Sequence, residues 1–168
     1  MRWWSGSTPG ARVLSHPSPN FNARKQAPRI ICVHATAGKS DEGDVTWCCN
    51  PASKVSYHAI IGRDGTHYSL VATKHRAWHA GVSEWQGVTD VNGISLGLAF
   101  ANRHDGTEAL TANQIHTARA VVKMWLRQYP KIEAIVTHAE IAPDRKTDPN
   151  HIPNWYRPDW TLDAFWSE

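Results

Sequence analysis

Two short stretches decide the fold: Ile30-Ile31-Cys32-Val33-His34 and Ala134-Ile135-Val136-Thr137-His138. Each is a run of four residues, mostly β-branched or small and apolar, closed by a histidine. Continuous apolar runs this short read as strands buried on both faces. The segments between them alternate strand and helix signals. Asp41 or Asp44 is placed to cap a short helix carrying Val45, Cys48 and Cys49, ended by Asn50-Pro51. Val55 to Ile61 and Thr66 to Val71 read as strands joined by the turn Gly62-Arg63-Asp64-Gly65. Trp78 to Gly93 has little periodicity and reads as a loop, and Ser95 to Ala101 as a further strand. Thr111 caps the clearest helix, with Ile115, Ala118, Val121, Val122, Trp125 and Leu126 on one stripe and Pro130 beyond its end. Strands interrupted by helices predict an α/β fold, a single domain with a mixed central β-sheet flanked by helices. Residues 1–28 read as an extended lead-in, and 150–168 as an irregular tail with a terminal turn, so that one domain spans 1–168.

The composition agrees with one globular core. The chain has 168 residues, 41% apolar and 20% charged, with a net charge of +3. So small an excess, without a dense basic run, predicts no nucleic-acid partner. No apolar stretch is long enough to span a bilayer, and Met1 to Gly6 lacks an apolar signal core, so no membrane insertion, no signal peptide and a cytoplasmic location are expected. Cys32, Cys48 and Cys49, odd in number and two of them adjacent, read as reduced packing residues rather than a disulfide framework.

His34 and His138 occupy equivalent places, just past the ends of buried strands, where a side chain leaves a rigid sheet for a cleft. After His138 comes Ala139-Glu140-Ile141-Ala142-Pro143-Asp144-Arg145-Lys146-Thr147-Asp148-Pro149, which adds a lysine and an aspartate on a proline-stiffened loop. Two imidazoles and one carboxylate would leave a tetrahedral zinc with one open position, the pattern of a catalytic rather than a structural site. No His-Glu-x-x-His helix of a zinc peptidase is present. Nothing reads as the carboxylate pair that a glycosidase sets about a sugar ring.

The same residues carry a family resemblance. Ser18 to Arg24, the strand ending in His34, Asn50 to His58, Gly62 to Gly65, Arg76-Ala77-Trp78-His79-Ala80-Gly81-Val82-Ser83, Ser95-Leu96-Gly97-Leu98 and His138 to Pro149 together resemble the N-acetylmuramoyl-L-alanine amidase superfamily. That superfamily includes phage amidase-lysozymes, muropeptide-recycling amidases and peptidoglycan recognition proteins. The resemblance implies one Zn²⁺ per chain held by His34, His138 and Asp148. It implies hydrolysis of the amide between the muramic acid lactyl group and L-alanine, with Tyr57 and Lys146 as catalytic residues. Trp78 and His79 fall beside the active site, and His79 is expected either to bind substrate or to protonate the leaving amine. His58, next to Tyr57 on a strand, should face away and be structural.

The branches of the superfamily differ at two positions. Recycling amidases carry a glutamate where this chain has Ala99, and phage lysozymes a tyrosine where it has Tyr57. The loops around His138 and Trp78 resemble the recycling enzymes. Weighting the catalytic pair more heavily gives a phage or prophage endolysin that would reach the periplasm after the inner membrane is opened. A cytosolic anhydro-muropeptide recycling amidase is the alternative, and a non-catalytic peptidoglycan-binding module a remote third. A monomer acting on peptidoglycan or muropeptides is expected.

Overall fold

The computed structural model describes residues 11–167. Its elements in chain order are β1 (Val13–Ser15), β2 (Phe21–Ala23), β3 (Ile30–Ala35), α1 (Asp41–Cys49), β4 (Ala59–Ile61), β5 (His67–Ser69), β6 (His75–Ala77), α2 (Val91–Ile94), β7 (Ser95–Phe100), α3 (Ala112–Gln128), β8 (Ala134–Thr137), α4 (His138–Ile141) and α5 (Leu162–Trp166). Six strands form one sheet in the order β1-β5-β4-β7-β3-β8, and β2 pairs with β6 in a separate ribbon. Only β4 and β5, joined by the Gly62–Gly65 turn, run antiparallel in the large sheet; its other neighbours are parallel. The expected mixed α/β sheet is therefore present.

β3 lies between β7 and β8, and all six of its residues are buried. Side chains alternate along a strand. Ile31, Val33 and Ala35 pack in the cluster that contains the α3 stripe of Ala118, Val121, Val122, Trp125 and Leu126. Ile30 and Cys32 pack in a different cluster, with Ala80, Ile94 and Ile141. His34 continues this second row, so the period of two that builds the core also turns His34 away from α3. β7 obeys the same rule: Leu96, Leu98 and Phe100 join α3, while Ser95, Gly97 and Ala99 line the other face. Those small residues leave space there for larger groups.

α3 carries the expected cap: Thr111 accepts from the backbone N–H of Gln114, whose side chain returns the bond. Several sequence expectations need correction. The cap of α1 is Ser40, which accepts from the Gly43 N–H; Asp41 instead pairs with Arg63, and Asp44 accepts from the Thr36 hydroxyl. Two expected strands shrink to Ala59–Ile61 and His67–Ser69. The loop from Trp78 contains α2, capped by Asp90. Within the lead-in, residues 1–10 lie outside the described residues, but β1 adds an edge to the large sheet and β2 pairs with β6. The terminal turn is α5, preceded by a 3₁₀ turn at Arg157–Trp160; Trp160 and Phe165 enter the α3 cluster.

A buried asparagine and a half-buried arginine fasten the lead-in. Asn20 Nδ2 lies 2.9 Å from Asn50 O and 3.0 Å from Val55 O. The Arg24 guanidinium donates to the carbonyls of Thr73, Gly93, His75 and Ser95. Burial lowers its pKa to about 10, still leaving it charged at neutral pH. A cation removed from water is tolerated only when its donors are satisfied, so these backbone oxygens and Arg24 require one another. No helix among the described residues is long and apolar enough to cross a membrane.

Because Trp125 fills the centre of the α3 stripe at 2% exposure, Trp125→Ala should cost about 3–5 kcal/mol. The check is equilibrium urea unfolding: the midpoint should fall with little change in slope.

Candidate active site

β3 and β8 are adjacent parallel strands with Val33 opposite Thr137. The next residue on each is a histidine, so the register alone brings His34 and His138 together. Thr137 also caps α4, accepting from Glu140 N–H while the Glu140 carboxylate accepts from Thr137 N–H. His138 thus stands in the first turn of a short helix rather than in an open loop, and its orientation is fixed. The chain returns at Asp148, whose carbonyl accepts from Ala139 N–H and whose carboxylate oxygen lies 3.3 Å from Ala35 N.

These three side chains converge. His34 Nδ1 is 3.0 Å from His138 Nδ1. Asp148 Oδ2 is 3.4 Å from His34 Nδ1 and 3.3 Å from His138 Nδ1. All three are buried. Burial drives the His34 imidazole down to about 4 against the opposing pull of Asp148. For Asp148, burial favours the neutral acid, but the adjoining His138 and His34 rings outweigh it and hold the carboxyl far below its ordinary range. At neutral pH the pair is therefore a neutral imidazole beside a carboxylate. His138 Nε2 lies 3.1 Å from the Ala80 carbonyl, which fixes the far side of that ring. Arg145 ties the same loop down, donating to the carbonyls of Ala80 and Val82. Gly81, at φ +58°, sits against the guanidinium, where a Cβ would stand 2.9 Å from Nη2.

A second group, Cys32, His34 and His79, also brings potential metal-binding atoms within 4.8 Å of one another. Its thiol is fully buried, and desolvation pushes its pKa well up, so the thiolate that a metal needs is disfavoured. It is the weaker of the two candidate sites. Cys48, pushed up to about 12 by burial, and half-buried Cys49 are unpaired thiols, as expected.

His138 and Asp148, with the fully buried His34 against them, open into a cleft of about 430 Å³ whose walls include Tyr57, Trp78, His79, His104, Arg145 and Lys146. The Tyr57 ring lies 5.1 Å from that of His34, and burial raises its phenol pKa well above the ordinary value, so it remains an O–H donor. Ala99 is opposite His34 on β7, and packs in the cluster that Tyr57 flanks. Trp78 presents its ring to the cleft, with Nε1 bonded to Asn22 Oδ1. His79 is only 5% exposed and stands beside His34, its Nδ1 2.8 Å from His34 Nε2. His58 is turned away as expected: Gly97 N–H donates to its Nδ1, and its Nε2 faces the His75 carbonyl.

His104 was not expected in the cleft. It stacks on His151 at 4.7 Å, and the His151 N–H donates to its Nε2. It is also one of four non-glycine residues with positive φ among those described. Three of the four, Ala37, Lys54 and His104, line the cleft, where sparsely populated backbone is held by its surroundings. Nothing in the local pattern around Asn102-Arg103-His104 signals this, since the contact comes from forty-seven residues away.

The family model of the N-acetylmuramoyl-L-alanine amidases matches residues 24–151. The chain is 34% identical over 170 residues to the 1,6-anhydro-N-acetylmuramyl-L-alanine amidase AmpD of Escherichia coli (strain K12), covering 88% of this chain and 90% of that protein. It is 40% identical over 163 residues to AmpD of Citrobacter freundii, covering 84% and 85%. The crystal structure of a Se-Met AmpD derivative superposes with a TM-score of 0.75 at 30% identity over 98% of this chain and 99% of that one. With this cleft at the carboxyl ends of β3 and β8 and these matches along nearly its whole length, the chain belongs to the N-acetylmuramoyl-L-alanine amidase family.

Proposed function

We propose that this amidase is a recycling enzyme: it hydrolyses the amide between the lactyl group of anhydro-N-acetylmuramic acid and L-alanine in soluble muropeptides, in the cytoplasm. The observation that carries the reading is the convergence of His34 Nδ1, His138 Nδ1 and the Asp148 carboxylate at 3.0 to 3.4 Å beside a cleft that His138 and Asp148 line, in a fold similar to AmpD along its length. The expectation of a phage or prophage endolysin is corrected here. The relatives that match nearly the whole chain at 34% and 40% identity are named for the 1,6-anhydro-muramyl amide, and that supports the alternative.

The donor set fits zinc. Ligand atoms ~2.0–2.1 Å from a tetrahedral ion stand roughly 3.3–3.4 Å apart, close to the separations here. A neutral His34 imidazole and an ionised Asp148 carboxylate are also the protonation states that a metal requires. His34, His138 and Asp148 would hold one Zn²⁺ per chain. When bound, zinc supplies Lewis acidity and a water activated near neutral pH. The chain's own residues do the rest. Tyr57, an O–H donor beside His34, is placed to hydrogen-bond oxygen at the reacting carbonyl. Lys146 brings an ammonium to the same wall for negative charge that develops on that oxygen, where one well-placed donor contributes ~3–4 kcal/mol. Trp78 offers an apolar face to the substrate.

Three measurements test these assignments. His138→Ala should lose bound zinc and activity together; full zinc content in that variant would remove His138 from the ligand set. Tyr57→Phe should keep fold and zinc content while kcat falls ~10²-fold with KM little changed; an unchanged kcat would take the phenol out of the reaction. With purified anhydro-muropeptides and intact sacculi supplied in parallel, mass analysis should find stem peptides with free L-alanine amino termini released mainly from the soluble substrate. Comparable release from sacculi would return the protein to the lytic class.

A further inference from the structure

His79 fills a space that Gly97 leaves open: a Cβ on Gly97 would stand 2.6 Å from the His79 ring. There it completes a chain of hydrogen bonds that runs from the backbone to His34. Ser95 Oγ lies 2.6 Å from the carbonyl oxygen of Val91. His79 Nε2 lies 2.9 Å from Ser95 Oγ, and His79 Nδ1 2.8 Å from His34 Nε2. His79 is also anchored through its backbone, since Asn92 Oδ1 accepts from both His79 N–H and Ala80 N–H.

The hydrogens in this chain can be placed by counting. A carbonyl oxygen only accepts, so the Ser95 hydroxyl hydrogen must point to Val91. Ser95 Oγ then accepts from His79, which puts the His79 hydrogen on Nε2. A neutral imidazole carries one ring N–H, so His79 Nδ1 is a bare lone pair and accepts from His34 Nε2–H. His34 Nδ1 is left bare, and it is the atom that faces His138 and Asp148. On the other side of the site, His138 Nε2 donates to the Ala80 carbonyl.

We propose that His79 and Ser95 are positioning residues for the metal: they lock His34 in its Nε2–H tautomer, so that Nδ1 is presented to the ion before it binds. The proposal rests on the reading of His34, His138 and Asp148 as ligands. It replaces substrate binding or amine protonation as the role of His79, because both ring nitrogens are already engaged. It also sets aside the alternative group with Cys32, in which His79 would have to give up one of those bonds to become a ligand. Hydrogen-bond partners of this kind set ligand orientation and basicity, and their loss typically weakens metal affinity ~10–100-fold.

Long-range ¹H–¹⁵N correlation spectra of the metal-free protein at neutral pH read which ring nitrogen carries hydrogen. His34 and His79 should both be Nε2–H. Zinc affinity, by competition with a chelator, should fall about tenfold in Ser95→Ala and further in His79→Leu. His79→Asn, whose amide oxygen replaces Nδ1 as acceptor, should recover most of the loss. Melting of the metal-free variants checks that each is folded, and if one is not, the parent's tautomers still decide. His34 found as Nδ1–H, or folded variants that bind zinc as tightly as the parent, would overturn the inference alone. A parent that binds no zinc would instead overturn the ligand reading beneath it.

Discussion

Two imidazole nitrogens and a carboxylate oxygen held 3.0 to 3.4 Å apart in a buried site form an unfavourable cluster unless something positive joins them. Buried polar groups set this close are costly unless a shared hydrogen or a cation links them. The rest of the molecule is arranged to hold this cluster together. Parallel pairing of β3 with β8 sets the two histidines side by side. The capping box of Thr137 and Glu140 fixes where His138 leaves its strand, and Arg157, donating to Glu140, ties that box to the C-terminal segment. Arg145 holds the Ala80–Val82 loop against the back of His138. Each support comes from a different part of the sequence, so the site depends on the whole fold being formed.

That dependence explains what could be read from the sequence. β3, β8 and α3 are legible because their signals are local: an unbroken apolar run, or a stripe at helical period with Thr111 at its head. His34, His138 and Asp148 are legible as a set because two of them repeat one position on two strands. Tyr57, Trp78 and Lys146 came from resemblance, and the structure places each on the cleft wall. β1, β2 and β6 were missed because three-residue strands carry no period; partners distant in sequence make them strands. His104 and the Ser95 hydroxyl were missed for the same reason. Their places are set by His151, and by Val91 and His79, not by their neighbours. The role of Arg24 likewise depends on four carbonyls about fifty to seventy residues away.

The pairing of Tyr57 with Ala99 has a steric and electrostatic logic. Ala99 is fully buried opposite His34, in the cluster against which Tyr57 packs. A glutamate at that position would compete with the tyrosine ring for space. It would also set a second carboxylate into a site that already holds Asp148, where like charges out of water raise each other's pKa. A small residue on β7 and a phenol before β4 are therefore one way of filling this wall. With Ala99 here, β7 brings no carboxylate to this wall.

This substitution also shows why the residues nearest the chemistry were the poorer guide to biological role. Every muramoyl-L-alanine substrate offers the same amide to the floor of the cleft, whether it sits in a sacculus or in a soluble fragment. Tyr57 lines the cleft beside His34, where a group acting on that shared bond discriminates little between the two. Size and end groups of the substrate are met by the walls: Trp78, His104 and the Arg145–Thr147 segment. Two of those walls belong to the Trp78–Ser83 and His138–Pro149 stretches, the parts of the sequence that resemble the recycling branch. Discrimination between substrates sharing one reactive bond comes from differences in binding away from that bond. On the proposed reading, the walls therefore carry more information about the substrate than Tyr57 and Ala99 do.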